Sequence, residues 1–235
     1  MPEPIADDAA SDRRVVISSL LALALVFGFC AWSARRGEPP AWDRAIGLAA
    51  VRARADLPAL TQLFRALTRI GDPDVALPTV LVAVTLWYAL ARARVVAMLR
   101  NDAIFFAGVA LIGRLLIPAL KLIFRRDRPP PADRLVVETS FSFPSGHGAF
   151  SGIALGLAFL AIRHALRDAP RRPRALALAA ASATCVLIAA SRVWLGVHYA
   201  SDVIGGFALG LIWVIAARML RSRLTHGVER PVDDA

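Results

Sequence analysis

The sequence predicts an all-α, polytopic membrane protein: six transmembrane helices in one bundle, with an interfacial amphipathic helical segment between spans one and two. Three observations predict it. Apolar residues fill 57% of the 235 positions and the mean hydropathy is +0.56, too apolar for a soluble domain of this size. These residues are gathered in unbroken runs of about the length that crosses a bilayer. The basic residues stand in short clusters between the runs, where they match lipid headgroups and the positive-inside bias. The length suits a single membrane-embedded domain over 1–235.

That placement also decides how the net charge of +10 is read. A pI of about 11.3 is compatible with nucleic-acid binding, but no zinc spacing or aromatic-and-basic RNA signature accompanies it. Membrane lipids are therefore the expected partners, not nucleic acid. The Ala- and Arg-rich composition suits a GC-rich bacterial genome. Of the 28 Lys and Arg side chains, only Lys121 is a lysine. Cys30 and Cys185 lie singly inside apolar runs and read as small core hydrophobes.

Residues 1–12 are acidic and small and read as a disordered tail. Arg13 and Arg14 then lead into a first span over 15–32, read as retained rather than as a cleaved leader because Trp32 marks an interface and further spans follow. In the connection 33–74, Trp42, Ile46, Leu57, Leu60, Leu63, Phe64, Leu67 and Ile70 recur near helical spacing with arginines between them. This fits a pair of amphipathic helices in the interface, as a cap or, alternatively, a gate for lipid access. Further spans are expected over 75–91, 103–124, 148–166, 174–190 and 203–220. Arg114 interrupts the third. It shares roughly the face of Lys121, and reads equally as a headgroup contact or a bundle-interior hydrogen bond.

Alternating helix directions put three segments on one face, opposite both termini. The first is Lys121, six residues, then Arg128-Pro129. The second is Pro144-Ser145-Gly146-His147. The third is Ser191-Arg192, five residues, His198, three residues, Asp202. With the motifs and the long connection set aside, the basic loops place the termini in the cytoplasm and this face outside, across a bacterial inner membrane.

The chemistry of these segments suits a phosphoryl group. Lys121, Arg128 and Arg192 supply cations for its non-bridging oxygens, and arginine suits bidentate contact. A helix starting near Ser145 would aim free N–H groups at an anion, with Gly146 leaving room for close approach. His198 and Asp202, four apart at the start of a helix, share one face. The carboxylate can hold one imidazole nitrogen protonated and leave the other as a nucleophile. His147 can protonate a departing alkoxide, while the Gly146 N–H and the Ser145 hydroxyl stabilise developing charge. Singly, each piece has a plainer reading as interface charge, snorkelling arginine, helix cap or structural helix pair. All three in order on one face favour the phosphate site.

These three segments match, without gaps, the signature of the type-2 phosphatidic acid phosphatase superfamily, which the chain resembles over about residues 75–220. The six spans resemble its membrane-bound branch. The resemblance implies a lipid phosphate phosphatase that uses no metal or other cofactor and works through a phosphohistidine. Carried over by position, His198 is the nucleophile, Asp202 its orienting carboxylate and His147 the leaving-group acid, while Lys121, Arg128, Ser145, Gly146 and Arg192 bind the phosphoryl group. The implied substrate is an amphiphile such as phosphatidic acid, phosphatidylglycerol phosphate, undecaprenyl pyrophosphate or a lipid A phosphate. Gly148 departs from the alanine frequent in the family, which predicts a softer helix start. The alternative is a phosphate-lipid transporter or flippase that uses the same cations without hydrolysis; it leaves the two histidines and Asp202 without a task. A non-catalytic scaffold predicts damage to this set, and there is none.

Overall fold

A computed structural model describes residues 5–72, 93–166 and 169–228. Seven α-helices are seen among them: α1 (Ile5–Ala34), α2 (Ala41–Asp56), α3 (Pro58–Ile70), α4 (Ala93–Phe124), α5 (Gly146–Ala165), α6 (Arg171–Trp194) and α7 (Ala200–Val228). A short 3-10 turn, Pro131–Asp133, lies in the connection from α4 to α5. No strand occurs among the described residues. Four stretches are long and apolar enough to cross a membrane: Arg13–Ala34, Gly146–Arg163, Arg171–Trp194 and Ala200–Arg223. The span expected over 75–91 lies outside the described residues, and the one over 103–124 falls within α4.

The helices outrun the apolar runs at several ends. Hydropathy marks what lipid can cover, whereas backbone hydrogen bonding continues until a cap or turn residue stops it. Thus α6 runs to Trp194, where Gly196 takes φ +73°, a left-handed turn that returns the chain beside its own last turn. α1 begins at Ile5, inside the segment expected as a tail. On α1, Leu21, Leu25, Phe29 and Trp32 are exposed, as suits a face turned to lipid.

The most extensive helix contact is α5 against α7. Its cause is a set of glycines that lets the two backbones touch. A Cβ on Gly148 would stand 2.6 Å from the Val203 carbonyl oxygen. One on Gly152 would strike the Phe207 carbonyl, and one on Gly210 the Ala149 carbonyl. Small residues four apart on facing helices are how membrane helices gain dispersion contacts where no hydrophobic force separates helix from lipid. Gly148 therefore answers to packing rather than to softness of the helix start. α1 lies along α7, with Cys30 and Ala34 packed on Phe143. α3 lies along α6, where Phe64 meets Trp194 at 5.4 Å between ring centroids. In α2, α3 and the residue between them, Ile46, Leu57, Leu63 and Ile70 are exposed, while Asp43, Phe64 and Thr68 are buried.

Candidate active site

The ends of α4 and α6 and the starts of α5 and α7 meet at one end of the bundle. Arg125, with φ +48°, closes α4 in the left-handed region and is exposed, and the next residue, Arg126, is buried. The loop that follows is pinned at both sides: Leu135 N–H donates to Leu195 O (2.9 Å), and Ser142 N–H to Arg126 O (2.8 Å). Ser145 then caps α5 by accepting from Gly148 N–H at 3.3 Å. Its own N–H donates to Asp202 O (3.0 Å), which ties the start of α5 to the start of α7.

These ends enclose a cavity of about 930 Å³. Lys121, Arg128, Gly146, His147, Arg192 and His198 line it at the polar end, and Leu115, Ile117, Leu122, Phe150 and Ile153 form an apolar wall. Of the residues singled out in the sequence, Ser145 and Asp202 do not line it. Both are fully buried behind its wall. The side chain of Arg114 lies outside the described residues.

His198 sits in the turn before α7 rather than on the helix itself. Its Nε2 lies 3.2 Å from Arg128 Nη1, which can only donate. Nε2 is therefore the bare nitrogen, and the proton is on Nδ1, 3.3 Å from Ser142 Oγ and 3.4 Å from Asp202 Oδ2. Burial first, then the positive charges of Arg128, Arg192 and Lys121, hold the imidazole well below its ordinary pKa of 6.5. Nε2 is consequently unprotonated at neutral pH, its lone pair held by the Arg128 bond.

Asp202 accepts from three directions: Ser142 Oγ, Tyr199 N–H at 2.9 Å and Arg126 Nη1 at 2.6 Å. The Tyr199 bond is half of a capping box, with the carboxylate on the third residue of α7. His147 turns Nε2 toward two acceptors, Thr68 O at 3.0 Å and Asp72 Oδ1 at 3.2 Å, so that nitrogen carries a proton.

Lys121 Nζ donates to Ser140 Oγ (2.9 Å). Arg128 is fixed by Val197 O (2.7 Å) and Ser140 O (2.6 Å), and Arg192 by Thr68 Oγ1 (2.8 Å). Glu138 reaches both guanidiniums, at 3.4 Å from Arg128 Nη2 and in a short contact with Arg192 Nη2.

Glu138, Ser142, Arg126 and Asp43 escape a reading of the sequence. Arg126 is one arginine in the run Arg125-Arg126-Asp127-Arg128, and linear spacing does not say which of these turns inward. Asp43 left a faint signal: it falls on the helical face of Gly47 and Ala50, where a charge needs a partner.

Residues 102–225 match the PAP2 superfamily. The chain belongs to that superfamily. It is 33% identical over 171 residues to phosphatidylglycerophosphatase B of Bacillus subtilis (strain 168), covering 72% of this chain and 78% of that protein. It is also similar to a solved structure, the transmembrane PAP2-type phosphatidylglycerolphosphate phosphatase from Bacillus subtilis. The TM-score is 0.74 at 28% identity, over 88% of this chain and 97% of that one. Family and helices together make the chain a membrane protein and a lipid phosphate phosphatase.

Proposed function

We propose that the chain hydrolyses the phosphate monoester or diphosphate of a membrane lipid by way of a phosphohistidine on His198, without a metal. The observation that carries this reading is the two-sided cavity: cations gathered round a bare imidazole nitrogen at one end, and an apolar wall of α4 and α5 at the other. A free sugar phosphate has no use for that wall; an acyl chain does. We place phosphatidylglycerol phosphate first among the substrates, ahead of phosphatidic acid, undecaprenyl pyrophosphate and lipid A phosphates, because the relatives are named for it.

In the proposed reaction Lys121, Arg128, Arg192 and the Gly146 N–H hold the phosphoryl oxygens, while Ser145 acts by setting the start of α5. His198 Nε2 attacks phosphorus and the phosphorus–oxygen ester bond breaks. With the phosphate's negative charge beside it, His147 takes a second proton on Nδ1; the alcohol oxygen, replacing Thr68 O and Asp72 as partner, then takes the Nε2 proton and leaves a neutral imidazole. His147 then removes a proton from water, which attacks the phosphohistidine and releases inorganic phosphate, restoring His198. Asp202 keeps the Nδ1 proton in place and compensates the charge formed on the ring.

The single domain has six spans, with 75–91 as the second and 103–124 as the third. α2 and α3 lie in the interface with their exposed apolar residues toward lipid. The site faces the periplasmic side of a bacterial inner membrane.

Purified protein in detergent with chelator present, given a panel of lipid phosphates and pyrophosphates, tests this reading. Phosphate release that is lost in His198→Ala and His147→Ala is the expected result, and undiminished release by His198→Ala overturns it. Reaction of cysteines placed in the 125–145 loop with an impermeant reagent tests the orientation.

A further inference from the structure

Behind His198 lies a second layer of charge. Arg126 is 4% exposed and Asp43 1% exposed. Arg126 Nη1 donates to Asp202 Oδ1 and to Ser201 Oγ, each at 2.6 Å, and its Nη2 donates to Asp43 Oδ2 at 3.0 Å. Its guanidinium lies over the Tyr199 ring, 4.5 Å from the centroid. Asp43 in turn accepts from Ser201 N–H at 2.9 Å and from Ser201 Oγ. It thus satisfies a free N–H in the first turn of α7 from a different helix. None of these groups except Arg126 reaches the cavity.

This geometry bears on the dyad. Asp202 Oδ2 is 3.4 Å from His198 Nδ1, long for a hydrogen bond. How well that oxygen serves the imidazole depends on what fixes the other one, and Arg126 fixes it. Asp202 already balances the charge of the guanidinium, but Nη2, which does not reach it, is a buried donor still in need of an acceptor. Asp43 supplies the second carboxylate, so the order of dependence runs from α2 through Arg126 to Asp202 and then His198.

We propose that Arg126 is a positioning residue for the His198–Asp202 dyad and that Asp43 acts on catalysis only through Arg126, which makes α2 part of the catalytic apparatus. The proposal rests on the reading of His198 as nucleophile. It assigns Arg126 no contact with the phosphoryl group, unlike Arg128 and Arg192, and therefore no large share in substrate binding.

The test uses full-length protein in mixed micelles with a short-chain phosphatidic acid, kcat and KM being measured per folded molecule as judged by thermal melting. Arg126→Met is expected to lower kcat by about thirtyfold or more, as loss of a partner behind a working ligand does, with KM little changed. Arg126→Lys, which keeps the charge and loses the fork, recovers about tenfold of that loss. Asp43→Asn lowers kcat in the otherwise unaltered protein and has no further effect in the Arg126→Met background, because residues in one chain of action are not additive. Should Arg126→Met fail to fold, Arg126→Lys and Asp43→Asn carry the comparison, since each leaves a partner for the remaining groups.

Three results would overturn the proposal: a kcat for Arg126→Met within about twofold of the parent, effects of Asp43→Asn and Arg126→Met that multiply, or a loss that appears in KM alone. His198→Ala is assayed alongside. Activity in that variant rejects the nucleophile reading, whereas an inactive His198→Ala with an unimpaired Arg126→Met rejects the positioning role alone.

Discussion

Arg128 Nη1 stands 3.2 Å from His198 Nε2, so the cation nearest the imidazole donates to the nitrogen that faces the cavity. That contact selects the tautomer. In the proposed reaction the same guanidinium moves its bond to a phosphoryl oxygen as Nε2 turns to phosphorus. Arg128→Ala is therefore expected to lower kcat by about 10²–10³-fold, the loss typical of one donor to a developing oxyanion. Steady-state phosphate release checks this, and a change confined to KM would mean that Arg128 only binds.

The displaced titration of His198 has a consequence for stability. Its folded pKa is well below 6.5, so below about pH 6.5 the unfolded chain takes up a proton that the folded site refuses. More protons on the unfolded side mean that stability falls as the pH falls. The contribution from this one site is at most about 1.4 kcal/mol per pH unit. Thermal midpoints of the parent and of His198→Gln, measured from pH 7.5 down to 5.5, should diverge in slope, with the parent the steeper; parallel curves would contradict the refusal of the proton.

Glu138 bridges Arg128 and Arg192 and is partly exposed. In the proposed reaction an incoming phosphate displaces it from both guanidiniums. Glu138→Gln removes that competitor, and inorganic phosphate should inhibit the variant more tightly, by roughly three- to tenfold, in line with the charged hydrogen bonds exchanged. Weaker inhibition would mean that Glu138 assists the anion instead of standing in its place.

The contact of α5 with α7 predicts an unequal response to one added methyl group. Gly152→Ala and Gly210→Ala force a Cβ onto a facing carbonyl and should each destabilise the protein by about 1–3 kcal/mol. Gly28→Ala on α1 meets nothing within 4 Å and should be neutral or stabilising, by up to about 1 kcal/mol, through helix propensity. Melting in detergent separates the two cases. Equal midpoints for all three would deny the close approach.

The sequence by itself determined the class of the fold and the polar end of the cavity. Apolar runs and the clusters between them specify helices that lipid can cover, because the cost of an unpaired backbone group in hydrocarbon leaves little else. The spacing Lys121 to Arg128, the turn Pro144 to His147 and the series Arg192, His198, Asp202 survive in linear order, since each is a local constraint on one helix end. What only the tertiary structure decided is what stands behind that end. Ser145 is a cap inside the wall, Gly148 is there for the Val203 carbonyl, and Arg126 reaches Asp43 across 83 residues of chain. Such pairings depend on which helix is brought alongside which, and on the left-handed turn at Arg125 that precedes the buried Arg126. A charged residue in a basic run carries no mark of its partner until the helices are packed.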